Sequence, residues 1–337
     1  MKVLIVAGGT GGHIYPGMAL GKTITEKNAE VLYAGTIHRM EASLFEKEKL
    51  PFRGFPLYRP GEKGLKFLCN GWTFFTIRRW LQKEGFDAVI CAGGYISFYF
   101  GLAARLSKIP LYLLEQNVIP GRVTRLLAPH AAKVFVSFEE SLSYFKKEKA
   151  LWTGNPVRKK ILNVCPRGKS LTILGGSLGA RALNEAVLIM EQSGVLKAFD
   201  YPVLWITGER DYEKIAAAVH ERPGLHLIPY CHHMEEIYAE TAWVVSRAGA
   251  TVLAELKALQ LPGVLVPYPY AKDNHQKANA DAMMQNGSYR VVEEGESFGC
   301  RLARAMEEIT AGLSKPGPFS PMPRSRDASE RIAEALL

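Results

Sequence analysis

Four glycines, a threonine and a histidine crowd into Gly8-Gly9-Thr10-Gly11-Gly12-His13, between the charge-free run Val3-Leu4-Ile5-Val6 and a segment carrying Pro16. Lacking Cβ atoms, such a turn can reach positive φ and aim several backbone N–H groups at one anion. The run before it reads as a strand buried on both faces. Pro16 suits the first turn of a helix whose positive end would face the same anion. An unperturbed imidazole titrates near pH 6.5, so His13 at the exit is a candidate proton acceptor. The spacing therefore offers phosphate or diphosphate binding beside a general base. Two sharper versions fail. A dinucleotide turn needs G-x-G-x-x-G and an acidic residue about 20 positions on; here the spacing is wrong, and the next strand runs to Thr36 without a carboxylate. Gly17 to Gly21-Lys22-Thr23 falls one residue short of a G-x-x-x-x-G-K-[ST] loop and lies inside the expected helix.

The same physics recurs further on. A strand over 170–174 leads into Gly175-Gly176-Ser177-Leu178-Gly179, and a helix follows over 180–190. Ser177 adds a hydroxyl donor. In Ser246-Arg247-Ala248-Gly249-Ala250-Thr251, small residues admit a ligand to a helix N-terminus beside a cation, which would suit a diphosphate. Glu255, about a turn inside that helix, can accept both hydroxyls of a ribose, although alone it would read as a solvated helix charge. Asp273-Asn274-His275-Gln276 with Asn279 is rich in groups that bind sugar hydroxyls, and alone would be a helix cap. Two such turns suggest a charged ligand held in a cleft between two domains. No Asp-x-Asp occurs anywhere, so no bound metal is expected.

These turns need strands to carry them. Strands over 31–34, 88–92, 111–114 and 133–137 alternate with helices over 40–49, 96–107, 120–127 and 139–147, which predicts an α/β fold with a doubly wound parallel sheet. Three further strand ends carry turn chemistry: Gly93-Gly94-Tyr95, Glu115-Gln116-Asn117 and Gly154-Asn155-Pro156. In open α/β sheets ligands bind at the carboxyl ends of strands. After a polar hinge at 155–160 the pattern restarts, with strands over 203–207, 226–229, 243–246, 263–266 and 290–292. The expected division is 1–157 and 158–323, with a proline-rich linker at 315–323 and a last helix, 324–337, packing back on the first domain.

A chain of 337 residues, 47% hydrophobic and 22% charged, fits two folded domains. The net charge of +9 argues for an anionic partner. A stripe of basic residues interleaved with aromatics is absent outside 63–83, which argues against nucleic acid. Five scattered cysteines without a C-x-x-C pair suit a reducing compartment and give no zinc signature. The opening goes straight into a strand, so a signal peptide is not expected. The longest charge-free run, 88–104, is too short to span a bilayer and is broken by Gly93-Gly94.

Taken in order, the motifs Gly8–His13, Gly93-Gly94-Tyr95, Glu115-Gln116-Asn117, Gly154 to Arg158, Gly175 to Arg181, Arg247 to Glu255 and His275-Gln276 with Asn279 resemble those of the MurG family of peptidoglycan N-acetylglucosaminyltransferases. The resemblance runs from Val3 to about Val292 and implies a GT-B architecture, two Rossmann-like domains facing across a cleft. It implies inverting transfer of N-acetylglucosamine from UDP-N-acetylglucosamine to the C4 hydroxyl of the N-acetylmuramoyl unit of lipid I, giving lipid II for the cell wall. Carried over, Ser177 and its turn bind the diphosphate, Arg158 and Asn117 line the donor site, and Cys231 meets the uracil through its backbone. Ala250, Thr251 and Glu255 cradle phosphate and ribose, and His275 or Gln276 reads the sugar. Thr10, Gly11 and Gly12 lie where donor and acceptor meet, with Gly94, Tyr95 and Glu115 on the acceptor side. The chain departs from many relatives at Cys231, where they have an aliphatic residue, and at His275, where some have a second glutamine. Implied partners are UDP-N-acetylglucosamine, lipid I, an anionic membrane surface and other cell-wall synthesis proteins. The implied location is the cytoplasmic face of the cell membrane, as a peripheral protein with a part in cell shape and division.

The mechanism such a reaction demands is a base, for which His13 is the candidate, and stabilisation of the leaving diphosphate. Without Asp-x-Asp that charge falls to helix N-termini, backbone N–H groups and Arg247, so no tightly bound cofactor or divalent cation is expected for donor binding. In 63–83, Leu65, Leu68, Trp72 and Phe75 lie on one helical face and Phe67, Phe74 and Leu81 on nearly the opposite one. Such a helix is either sandwiched in a core or turned toward a membrane, with Lys66, Arg78, Arg79 and Lys83 suited to anionic headgroups. Rival readings are another UDP-sugar transferase, a UDP-sugar 2-epimerase, and a non-catalytic nucleotide-sugar-binding subunit.

Overall fold

The computed structural model describes residues 1–59, 64–175, 180–199, 201–220, 222–285, 287–311 and 327–337. The chain divides into two compact units, Met1–Arg158 with Pro323–Leu337, and Lys159–Met322. The first holds strands β1 (Lys2–Val6), β2 (Glu30–Thr36), β3 (Phe52–Phe55), β4 (Ala88–Cys91), β5 (Leu111–Glu115), β6 (Lys133–Val136) and β7 (Ala150–Trp152). They form one parallel sheet in the order β3-β2-β1-β4-β5-β6-β7. The second holds β8 (Ser170–Leu174), β9 (Val203–Ile206), β10 (Leu225–Ile228), β11 (Thr241–Arg247), β12 (Gly263–Val266) and β13 (Tyr289–Val291), in the order β10-β9-β8-β11-β12-β13. The helices are α1 (Gly11–Glu26), α2 (Met40–Lys47), α3 (Asn70–Glu84), α4 (Ile96–Leu106), α5 (Arg122–Leu127), α6 (Lys159–Leu162), α7 (Arg181–Gln192), α8 (Glu209–Ala218), α9 (Met234–Glu240), α10 (Ala250–Leu259), α11 (His275–Met284), α12 (Phe298–Ala311) and α13 (Ala328–Leu336).

Alternation along β1 builds both faces of the first unit. Leu4 and Val6 join a core with Ile77, Trp80 and Phe100 on the side of α3 and α4. Val3 and Ile5 face the other way, toward Ile14, Leu20 and Ile24 of α1, Phe45 of α2 and Ile332, Ala333 and Leu336 of α13. Helix α1 lies close on the sheet because Gly17 and Gly21 face it; a Cβ at Gly21 would fall 2.0 Å from the Tyr33 hydroxyl. Helix α13 is capped by Asp327, whose carboxylate accepts from the N–H of Ser329 at 2.9 Å. It is tied down by Lys27–Glu330 at 2.9 Å and by Arg331 donating to the Thr153 carbonyl. In the second unit Leu171, Ile173, Val245 and Val264 meet Leu183, Val187, Leu302 and Met306 of the covering helices.

Two sheet-edge strands, β3 and β7, add to the strands read from sequence, and 139–147 differs. It is a short 3-10 segment, Glu139–Tyr144, in which buried Ser141 donates to the Asn117 carbonyl at 3.0 Å. That bond seats the segment under the β5 turn. The linker at 315–323 lies outside the described residues.

Candidate active site

In both sheets the order reverses at one place, between β1 and β4 and between β8 and β11. Connections there leave in opposite directions and open a crevice at the strands' carboxyl ends. In the first unit the turns that meet at this place are Gly8–His13 after β1 and Gly93-Gly94-Tyr95 after β4. The first is anchored from below by Glu41, which is fully buried. One carboxylate oxygen accepts the Thr36 N–H at 3.0 Å and the Thr36 hydroxyl at 2.6 Å. The other accepts the N–H of Gly9 at 3.2 Å. Gly9 adopts φ 88°, a left-handed conformation that favours glycine. A buried carboxylate thus already occupies part of the anion-binding potential of this turn.

His13 ends the turn, its Nδ1 3.3 Å from the Thr10 hydroxyl oxygen. Its ring rests on Gly93: a Cβ there would fall 2.8 Å from His13 Cδ2 and 2.9 Å from Nε2, and φ at Gly93 is 102°. Gly93 is held at both ends by Ser97, whose Oγ accepts its N–H at 3.1 Å and donates to its carbonyl at 2.6 Å. Gln116 donates to the Ala92 carbonyl at 2.9 Å and so joins the turns after β4 and β5. The imidazole sits on a fixed shelf.

Glu115 and Asn117, both candidate ligand residues, are drawn into the frame. Glu115 is buried; its carboxylate accepts the Asn117 N–H at 3.1 Å and the Gly121 N–H at 3.0 Å, and the Asn117 amide lies 3.4 Å away. Burial pushes its carboxyl above the ordinary carboxylate range, against the pull of these donors and of the Thr124 hydroxyl. Glu115 therefore shapes the β5 turn. Tyr95 donates to the Leu57 carbonyl at 3.0 Å, and Gly94 faces His13 beside it. Arg158 stacks on Tyr15 of α1, 4.5 Å from the ring centroid, and the edge of Tyr15 lies beside Gly11. Gly12 is exposed.

In the second unit, Ser177 lies outside the described residues, as do Gly176, Leu178 and Gly179. After β11, Gly249 caps α10, and Ala250 and Thr251 form its first turn with no acidic residue there. Glu255 is 4% exposed and accepts the Tyr238 hydroxyl at 2.8 Å, which fixes its carboxylate within the unit. Arg247 is held by partners within its own unit. Its guanidinium pairs with Glu294, donates to the carbonyls of Val266 and Pro267 at 3.3 and 3.4 Å, and lies over Tyr268. With its charge matched by a carboxylate, Arg247 braces the turns after β11 and β12. Gln276 Oε1 accepts the N–H of Tyr268 at 3.0 Å, which leaves its NH2 end for a ligand, and His275 Nδ1 lies 2.7 Å from the Lys272 carbonyl. Asn279 is buried and donates to the Ala248 carbonyl at 3.3 Å, so it serves the fold. Cys231 is half-buried after β10.

Along α3, Thr73, Ile77, Trp80 and Leu81 face the core, with Phe74 packed partly against it. Leu68, Trp72 and Phe75 are 62%, 83% and 60% exposed. Arg79 is exposed and Arg78 half-buried beside them; the side chain of Leu65 lies outside the described residues. The helix is thus neither sandwiched nor apolar on two equal sides: one stripe is core and the other open. Among the described residues no helix is long and apolar enough to cross a membrane, and no three His, Cys, Asp or Glu side chains gather where they could hold a metal ion.

Sequence reasoning missed Glu41, Asn70 and Tyr58. The one sequence signal for Glu41 is a Thr that ends a strand and a Glu five positions later. Asn70, which opens α3, clamps Tyr58 by accepting its N–H at 3.0 Å and donating to its carbonyl at 2.8 Å.

Two doubly wound parallel sheets, one in each unit, give the chain the architecture of the GT-B glycosyltransferases. Residues 3–136 match the glycosyltransferase family 28 N-terminal domain and residues 170–336 the family 28 C-terminal domain. The chain is 36% identical to the UDP-N-acetylglucosamine--N-acetylmuramyl-(pentapeptide) pyrophosphoryl-undecaprenol N-acetylglucosamine transferase of Bacillus licheniformis, covering 92% of this chain and 90% of that protein. The crystal structure of Acinetobacter baumannii MurG superposes with a TM-score of 0.74 at 25% identity, covering 99% of this chain and 98% of that one. A Neisseria meningitidis UDP-GlcNAc 2-epimerase bound to UDP-GlcNAc, 16% identical with a TM-score of 0.70 over 100% of this chain and 99% of that one, shares the fold. The chain belongs to the family 28 N-acetylglucosaminyltransferases of the MurG type.

Proposed function

We propose that the chain transfers N-acetylglucosamine, with inversion, from UDP-N-acetylglucosamine to the C4 hydroxyl of the N-acetylmuramoyl-pentapeptide carried on undecaprenyl pyrophosphate. The observation that carries this reading is the seating of His13 on the Gly93 shelf at the strand-order reversal of the first sheet. His13 takes the proton of the acceptor hydroxyl as its oxygen bonds to the anomeric carbon and the bond to the UDP oxygen breaks. The N-terminus of α10 at Ala250 and Thr251, with no acidic residue in its first turn, meets the negative charge that grows on the diphosphate. Glu255, oriented by Tyr238, accepts the ribose hydroxyls, and the NH2 of Gln276 reads the sugar. No divalent cation is assigned to donor binding.

The acceptor's lipid tail requires work at a bilayer surface. The stripe of Leu68, Trp72 and Phe75, with Arg78 and Arg79 beside it, suits a peripheral attachment to anionic lipid. The location this gives is the cytoplasmic face of the cell membrane. Incubation with UDP-N-acetylglucosamine and a lipid I analogue tests the reading: disaccharide-linked product and one UDP per transfer are expected. Release of a 2-epimerised sugar without acceptor would reject transfer in favour of the epimerase reading. That reading is the poorer fit, since buried Glu115 is committed to the N–H groups of Asn117 and Gly121 and Glu255 is assigned to the ribose.

A further inference from the structure

We infer that Asn70 is a positioning residue for the transfer reaction: it sets the height of His13 above the exposed stripe of α3. The inference rests on the transfer and membrane-contact readings above. Asn70 opens α3 and is 2% exposed. Its amide is spent on three bonds outside its own helix. Oδ1 accepts the Tyr58 N–H at 3.0 Å, and Nδ2 donates to the Tyr58 carbonyl and to the Tyr99 hydroxyl oxygen, each at 2.8 Å. One turn on, the Thr73 hydroxyl donates to the Pro56 carbonyl at 3.1 Å. The start of α3 therefore grips the residues on either side of Leu57. Leu57 is itself buried, and its carbonyl accepts the Tyr95 hydroxyl at 3.0 Å. Tyr95 adjoins Gly94, where a Cβ would lie 3.5 Å from His13 Nδ1. Every step from Asn70 to the imidazole is a hydrogen bond, a covalent link or a close contact within the first unit.

The inward residues of this helix, Asn70, Thr73 and Ile77, alternate with Trp72 and Phe75 on the open side. No side chain caps its N-terminus, and Gly71 is a poor helix former in its first turn. This end is held by tertiary bonds, those of Asn70 and Thr73 among them. Tyr58 also stacks on His38, its hydroxyl 2.9 Å from Nε2, so the gripped segment is tied to the turn after β2 as well. An acceptor anchored in a bilayer presents its reacting hydroxyl at one height, and the base must meet it there. An acceptor free in water adjusts its own position. Misplacing reacting groups by about 1 Å can cost about a hundredfold in rate, so a loosened tie penalises the anchored acceptor more.

The test compares one muramoyl-peptide acceptor in two forms, a long-chain form held in anionic vesicles and a short-chain form free in solution. Asn70→Ala removes the amide while keeping a good helix former at the site. It should lower kcat/KM on the vesicle-held acceptor about tenfold or more, and on the soluble one by no more than about threefold. KM for UDP-N-acetylglucosamine and co-sedimentation with vesicles should stay within about twofold of wild type. Tyr95→Phe cuts the far end of the same tie without touching α3, and should shift the ratio between acceptors in the same direction. The double variant should be no worse than the poorer single one, since both break one connection. An equal or larger loss on the soluble acceptor overturns the inference and marks Asn70 as support for the fold alone. Wild-type rates on both acceptors in both single variants overturn it too. A wild type that fails to co-sediment overturns the membrane reading, and one that transfers to neither acceptor overturns the transfer reading; either takes this inference with it.

Discussion

The Glu41 carboxylate accepts the backbone N–H of Gly9 at 3.2 Å, from a position with no access to solvent. Its other oxygen serves two donors of Thr36, so one side chain bolts the turn after β1 to the end of β2. Glu41→Ala strands three donors, each costing about 1–3 kcal/mol when buried without a partner. The expected result is a clear fall in the urea midpoint and a loss of kcat, with UDP affinity nearly unchanged. Thr36→Val, which removes one hydroxyl, should cost less than half as much. A wild-type midpoint for Glu41→Ala would remove the bolt from the account.

His13 depends on Gly93 twice, for space and for a backbone that only glycine adopts readily. Gly93→Ala should push the imidazole off its shelf and strain φ. A fall in kcat of at least about tenfold is expected, because a misplaced base loses the 10²–10⁴-fold that general-base catalysis typically supplies. His13→Ala should match or exceed it. UDP titration should show both variants binding as wild type. Full activity in Gly93→Ala would detach the shelf from catalysis.

Trp72 and Phe75 contribute little to the core, so Trp72→Glu and Phe75→Glu should leave the thermal midpoint within a degree or two, as surface changes usually do. Binding to vesicles rich in anionic lipid should fall severalfold in the double variant, because apolar insertion and headgroup attraction act together. Co-sedimentation reads this directly. Equal binding by wild type and variant would take the membrane contact away from α3.

Tyr238 is fully buried and donates to Glu255 at 2.8 Å. Tyr238→Phe keeps the ring and removes one donor that orients the carboxylate. KM for UDP-N-acetylglucosamine should rise about three- to tenfold, the usual net weight of one intramolecular hydrogen bond. Titration of UDP after exhaustive chelation should give the wild-type affinity. Loss of UDP binding on chelation would require a cation in the donor site.

The parallel strands were legible because each is an apolar run bounded by turn residues, as burial on both faces demands. Their ends were legible for the same reason: glycine, asparagine and histidine stood out against that background. The edge strands were harder. Phe52–Phe55 has a glycine and an arginine among four residues, and Ala150–Trp152 is three residues long. Charge partners far apart in the chain could not be read at all. Nothing local pairs Arg247 with Glu294, so a cation that looked available for a diphosphate proved to be matched within its own unit. Glu41, a lone acidic residue at the start of a short helix, is buried because the turn above it and Thr36 supply donors for its carboxylate.

The placement of α13 on α1 reverses the order in which the polypeptide can be finished as it leaves the ribosome. All seven strands of the first sheet are made before any of the second, yet Ile332, Ala333 and Leu336, which cover Ile24 and its neighbours, emerge only after the second unit is complete. A chain abandoned midway would present a sticky, uncovered helix surface to chaperones and proteases. The last helix thereby makes the first unit whole only in products that already contain the second.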